Sequence, residues 1–263
     1  MPPPEPIVRL IGVRKSFDGK VVLDGVDLDV PTGDSTVVIG GSGTGKSVLL
    51  KHMIGLLAPD EGRVLVDGTD LSTLDNHDLT RFRARFGMAF QEGALFDSMT
   101  VAQNVEFPLV RLSIGTRAER RARVEECLAM VRLQGSEEKL PSQLSGGMRR
   151  RVGFARAIAH RPDVLLFDEP TTGLDPVTKD VIDELIVELK QRLGATIVTI
   201  THDMESVFRI GDWVAMLYEG RIVAWGSPEE FRHSSDARVA AFLGRTGATE
   251  GAAAAPAGKI DTA

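Results

Sequence analysis

Short apolar runs alternate with amphipathic stretches along most of this chain. Ile7 to Leu10, Val21 to Leu23 and Val26 to Val30 read as short strands, with Asp18-Gly19 marking a turn. Thr36 to Ile39 is an apolar, β-branched run ending in glycine, the pattern of a buried strand. Ser47 to Leu57 follows as a helix, and Pro59-Asp60-Glu61-Gly62 closes it by turn chemistry. Arg63 to Val66 and Phe86 to Phe90 read as further strands, and from about Ala102 to Leu140 the chain is mostly helical and charged, as a lobe set apart from a sheet would be. After Ser145 a helix is expected to run to His160, where Arg161-Pro162 breaks it. Val164 to Phe167 then reads as a strand, Val181 to Leu193 as a helix and Thr196 to Ile200 as another buried strand. Trp213 to Tyr218 and Arg221 to Ala224 form a hairpin about Glu219-Gly220. Strands alternating with helices predict an α/β fold with a mainly parallel sheet and flanking helices.

The two ends fall outside this alternation. Residues 1–6, Met1-Pro2-Pro3-Pro4-Glu5-Pro6, read as an extended lead with neither the basic start nor the apolar stretch of a signal peptide. Residues 247–263 are rich in alanine and glycine without apolar periodicity, the composition of a disordered or partner-docking tail. Composition changes the picture in three ways. The formal charge of −6 argues against a nucleic-acid binder that works by coating phosphates. No apolar run is long enough to cross a bilayer. The single cysteine, Cys127, fits a reducing compartment and reads as a small core residue rather than a nucleophile. Together these predict an intracellular chain, so that any membrane part of its work belongs to another protein.

The chemistry is concentrated in two places. Gly40-Gly41-Ser42-Gly43-Thr44-Gly45-Lys46-Ser47 matches the P-loop pattern in full, after a buried strand and opening a helix. Its glycines permit dihedrals that side chains would block, so successive N–H groups can point at phosphate oxygens, and the helix N-terminus adds a favourable dipole. Lys46 is expected to reach the β- and γ-phosphates of ATP, and the Ser47 hydroxyl to ligate Mg²⁺. Val164-Leu165-Leu166-Phe167-Asp168-Glu169 is a buried strand whose end delivers two acids. Asp168 is the candidate metal carboxylate and Glu169 the candidate general base.

Between those sites stands Leu144-Ser145-Gly146-Gly147-Met148, and with it the chain resembles the ATP-binding-cassette (ABC) family over nearly all of residues 7 to 232. The resemblance implies a P-loop ATPase core with an antiparallel β subdomain and a helical signature subdomain. The ATP-binding domain would span 7–246, with the helical part at about 92–158. Ser145, Gly146 and Gly147 would close over the nucleotide held by a second copy of the chain, making a homodimer. Phe17 falls where an aromatic stacks on adenine, Gln91 where a glutamine contacts Mg²⁺, and His202 where a histidine meets the γ-phosphate. Gly173-Leu174-Asp175 resembles the segment that communicates across the dimer. Two positions depart from the family pattern: Met148 stands where glutamine is commonest, and Phe17 where tyrosine is commoner.

Within the family, Gly40 to Leu57, Phe90-Gln91-Glu92-Gly93-Ala94-Leu95-Phe96 and Leu144 to Arg151 look most like the ATPase of the Mla-type phospholipid transporters. Ala224-Trp225-Gly226-Ser227-Pro228, Asp236-Ala237-Arg238-Val239 and Phe242-Leu243-Gly244 add to that likeness. It implies an integral membrane permease, an MCE-type lipid-binding protein and a small accessory subunit as partners. The site of action would be the cytoplasmic face of a bacterial inner membrane, where the permease holds the chain peripherally. The alternatives are the ATPase of an importer for amino acids or other small solutes, a soluble cassette ATPase acting on DNA or ribosomes, and a non-hydrolysing cassette. The basic runs Arg117 to Arg123 and Arg149 to Arg151 fit anionic lipid heads or an acidic partner, a solvated helix face or, for the second run, tuning of the phosphate field.

Overall fold

A computed structural model of the chain describes residues 3–91 and 93–244. Met1, Pro2, Glu92 and the expected tail at 247–263 lie outside the described residues. Among the described residues, those up to 75 together with 200–244 make one compact unit, and those in 76–199 make a second.

The first unit opens with β1 (Pro6–Phe17) and β2 (Lys20–Pro31), paired antiparallel from Pro6↔Pro31 to Phe17↔Lys20. These are two long strands where the sequence pattern suggests three short ones. The ladder slips between Leu10 and Val13, and Gly12 and Gly25 take positive φ, so irregularities absorb residues that look like strand breaks. β3 (Ser35–Ile39) is buried at every position, as a strand covered on both faces must be. The helix α1 (Lys46–Met53) stops four residues short of the expected Leu57. Gly55, at φ +65°, donates to the His52 carbonyl, and Leu56 to that of Lys51, which turns the chain out of the helix. β4 (Glu61–Val66) pairs with β1, and β5 (Thr69–Asp70) completes a four-stranded antiparallel sheet of order β2-β1-β4-β5.

The second unit begins with α2 (Asn76–Arg83), where the sequence suggests no element, followed by β6 (Phe86–Ala89). The charged stretch is helical, as α3 (Val101–Arg111) and α4 (Arg117–Met130). Each starts at a capping box, Thr100 with Gln103 and Thr116 with Glu119, so two orphan amides are met at each start. α5 (Gly146–Ile158), β7 (Val164–Asp168), α6 (Pro176–Leu193) and β8 (Thr196–Ile200) follow, with the strands in the order β8-β7-β6 and β6 parallel to β7. α6 starts five residues before Val181 because Asp175 caps the Thr178 amide and Pro176 takes the first helical position. Val164 to Phe167 are fully buried, and Phe167 packs its ring 4.5 Å from that of Phe154 on α5.

The chain then returns to the first unit with α7 (Met204–Ile210), the hairpin β9 (Trp213–Tyr218) and β10 (Arg221–Gly226), and two short helices, α8 (Pro228–His233) and α9 (Ala237–Phe242). β3 runs parallel to β9, while β9 and β10 are antiparallel. Trp213 and Trp225 stack 4.7 Å apart at 3°, and the Trp213 indole donates to Asp34 at 2.8 Å. The α/β class, the largely parallel ladders and the separate antiparallel sheet all agree with expectation. Among the described residues no helix is long and apolar enough to cross a membrane. Cys127 is fully buried and its thiol is pushed up to about 11 by that burial, which suits packing and not nucleophilic chemistry.

Two histidines are held neutral by burial. Burial lowers the pKa of His52, whose Nδ1 bonds the Val48 carbonyl, and of His160, whose Nε2 bonds that of Phe86. The unfolded chain protonates such groups near about pH 6.5, whereas the folded chain refuses the proton until the pH is lower. Stability should therefore fall as the pH drops from 7.5 to 5.5. Thermal melts across that range should show a declining Tm, and His160→Gln should flatten part of the decline. An unchanged slope in that variant would remove His160 from the account.

Candidate functional site

β3 delivers the chain to the P-loop, and packing fixes the loop at both ends. A Cβ on Gly40 would lie 2.4 Å from the Leu217 carbonyl oxygen, so no side chain fits there. Gly45, at φ +103°, caps α1, and a Cβ there would press on Leu23 and on the Val22 carbonyl at 3.0 Å each. Between them Gly41, Ser42 and Gly43 are exposed. Lys46 is only 8% exposed, and its Nζ donates to the carbonyls of Gly40 at 2.7 Å and Gly41 at 2.9 Å. The Thr44 hydroxyl also donates to Gly41, at 2.9 Å. A buried ammonium thus sits at the base of an open-rimmed loop, with Ser47 exposed on the first turn of a helix that has no acid there. That donor set fits a polyphosphate carrying Mg²⁺.

The same unit holds Phe17 and His202. Phe17 ends β1 with 41% of its surface exposed, and the Lys15 ammonium lies 5.7 Å from its ring centroid. Lys15 is itself fixed to Asp60 at 2.6 Å, which holds the Asp60 carboxyl below the usual carboxylate range. His202 is exposed just past β8, and the neighbouring Thr201 amide donates to Val38 of β3 at 3.2 Å. One unit therefore carries Phe17, the P-loop and His202, the candidate adenine, phosphate and γ-phosphate residues.

The second unit carries the other candidates. Gln91 is exposed two residues beyond β6. Asp168 is the last residue of β7, and Glu169 follows with φ +50°, an uncommon value for a side-chain-bearing residue. The Thr172 hydroxyl donates to Glu169 Oε2 at 2.8 Å. Ser145 caps α5 by accepting from the Met148 amide at 3.3 Å. The two signature glycines are small for different reasons. A Cβ on Gly146 would meet open space, whereas one on Gly147 would lie 2.5 Å from Thr178 of α6. Gly146 keeps a face clear, and Gly147 lets two helices approach.

The structure assigns the arginine run beside the signature to the protein's own carbonyls. Arg149 donates to Leu144, Arg150 to Pro170 and Thr172, and Arg151 to Val131 and Arg132. Arg123, in the earlier run, is buried and donates to Ile158 and Ala159. Arg123 and Arg150 are buried and so belong to neither a solvated face nor a lipid-binding one, whereas Arg149 stays exposed. Thr172 and Arg156 are absent from the sequence-based candidates, and Arg150 enters only as part of a basic run, yet it lies four residues before the buried Phe154, on the apolar stripe of α5. A charge on an apolar stripe was the available signal.

The profile of the ABC transporter family matches residues 23–172. A curated relative named "Probable ribonucleotide transport ATP-binding protein mkl", from Mycobacterium leprae, is 40% identical over 90% of this chain and 68% of its own length. A methionine import ATP-binding protein, MetN, of Halalkalibacterium halodurans is 45% identical over 84% of this chain and 66% of its own. The chain thus spans about two thirds of the length of such curated relatives. Among solved structures, a dimeric post-hydrolysis state of the ATP-binding cassette MJ0796 bound to ADP and Pi matches with a TM-score of 0.76 at 34% identity, covering 84% of this chain and 98% of that one.

Replacing Gly40 by alanine should disrupt the P-loop through the contact with the Leu217 carbonyl. The expected result is a lower Tm together with loss of fluorescent ATP-analogue binding. Wild-type values for both would show that the loop has room that its geometry denies.

Proposed function

The chain belongs to the ABC transporter family, as an ATP-binding subunit that hydrolyses ATP with Mg²⁺, and on that premise we propose that two copies of it drive a membrane permease that moves phospholipid. The observation that carries the ATPase part is the buried Lys46 ammonium, held on the P-loop's own carbonyls at the head of α1. In this reading residues 7–246 form the ATP-binding domain, with its helical part at about 92–158.

Lys46 and the amides of Gly40 to Ser47 hold the phosphates, Phe17 stacks on the base, and Ser47, Gln91 and Asp168 hold the metal. Mg²⁺ supplies charge neutralisation on the transferred phosphoryl group. Glu169 orients the attacking water as general base, and His202 contacts the γ-phosphate. Ser145, Gly146 and Gly147 of the second copy complete each site, so turnover depends on closure of the pair. The dimeric state of the related cassette supports that arrangement.

The phospholipid reading is supported by the likeness of Phe90 to Phe96 and of the segments after Ala224 to the Mla-type ATPase. It brings with it a permease, an MCE-type lipid-binding protein and a small accessory subunit, on the cytoplasmic face of a bacterial inner membrane. Arg156 donates to Gly93 at 2.7 Å and to Ala94 at 2.8 Å in that segment, and Phe96, packed on Phe107, keeps 41% of its surface exposed. A second reading, import of a small solute such as methionine, is favoured by the 45% identity to MetN. Affinity purification of a tagged copy from gently solubilised native membranes separates them. An Mla-like permease, an MCE protein and bound phospholipid are expected, and a permease with a solute-binding protein would transfer the motor to import.

Glu169→Gln should retain ATP and lose on the order of 100-fold or more in turnover, as the removal of a general base does. Steady-state phosphate release and fluorescent-nucleotide binding check this together. Substantial ATPase in the variant would refute the role.

A further inference from the structure

The backbone at Glu169 is left-handed, at φ +50°, which a residue with a Cβ adopts only when its surroundings hold it there. Two side chains of the second unit contact this turn. Arg150 is 8% exposed on α5, and its guanidinium spans the loop after β7, donating to the Pro170 carbonyl at 2.8 Å and to that of Thr172. Thr172 in turn donates its hydroxyl to Glu169 Oε2 at 2.8 Å. The backbone closes the same turn, with the Thr172 amide 3.4 Å from the Glu169 carbonyl. The planar fork of arginine can bridge two carbonyls at once, which a lysine ammonium on its flexible stem does less well.

We infer that Thr172 and Arg150 are positioning residues for Glu169. Thr172 fixes the rotation of the carboxylate, and Arg150 fixes the loop from which Thr172 acts. The placement of the carboxylate thereby depends on α5, the helix that Ser145 caps. The inference rests on the reading of Glu169 as general base. Neither residue touches the nucleotide in that reading, so its effect should fall on the chemical step and not on ATP binding.

The test uses the full chain with Mg²⁺ and ATP, measuring kcat, KM, fluorescent ATP-analogue affinity and Tm. Thr172→Val should lower kcat by about tenfold while KM and analogue affinity stay within about twofold and Tm stays close to wild type. Thr172→Ser, which keeps the hydroxyl, should recover most of the rate. In a Glu169→Gln background Thr172→Val should change the residual rate little, because the group it positions is gone. Arg150→Lys should lower both kcat and Tm, so the Thr172 pair decides the case. Wild-type kcat in Thr172→Val beside an inactive Glu169→Gln would overturn the inference alone. So would a loss confined to KM, or a Thr172→Ser variant as slow as Thr172→Val. Near-wild-type turnover in Glu169→Gln would instead remove the underlying reading, and this inference with it.

Discussion

Irregular loops have no ladder to meet their carbonyls, and every buried carbonyl needs a donor. This constraint governs both units. The P-loop turns two carbonyls inward onto Lys46, and the loops of the second unit turn theirs onto arginines. Long cationic side chains suit the task because they carry several donors to the end of a flexible stem. Magnitudes show why these contacts matter more than the ion pairs on the surface. A hydrogen bond to a charged group is worth roughly 1.5–3 kcal/mol, and an exposed pair such as Arg9 with Asp29 roughly 0–1 kcal/mol. The loops are thus ordered by a few buried cations, which leaves their exposed atoms available for chemistry.

The layout of the core was legible in the sequence because its signals are strong and local. A continuous apolar run at Thr36 to Ile39 before a glycine-rich loop, and another at Val164 to Phe167 before two acids, are buried parallel strands in the structure. The errors lie where a local signal has more than one outcome. The strands expected at Val21 to Leu23 and Val26 to Val30 are one, and within its long antiparallel ladder Gly25 is accommodated at positive φ. Leu56 and Leu57 continue an apolar pattern, yet Gly55 has already ended the helix. The helix expected from Val181 starts instead at Pro176, behind the capping Asp175.

The site shows the same division. The glycines and lysine, the capping serine and the acids each stand in a short contiguous motif, so the sequence alone proposes them. Arg150 and Thr172 are twenty-two residues apart and meet only through the packing of α5 beside the loop after β7. No periodicity announces such a pair. The arginine run was visible as charge, and charge alone could not distinguish a solvated face from a set of carbonyl anchors. Their carbonyl partners distinguish them, and those partners meet only in the folded chain.

The arginines also explain why one helix organises so much of the second unit. Arg149 returns to the segment before the signature, Arg150 reaches the Glu169 loop, Arg151 reaches the end of α4, and Arg156 reaches the segment after Gln91. α5 is a rigid rod three to four turns long, so a displacement of its capped end shifts all four anchored segments together. Gly153 tightens that link, since its Cβ would stand 3.1 Å from the Gly93 Cα and the backbones are already in contact. The segment expected to feel a permease and the loop bearing the candidate base are therefore tied to one helix. The β6–β7 ladder joins the same two segments through Ala89↔Phe167, so the helix and the ladder are two physical links between them.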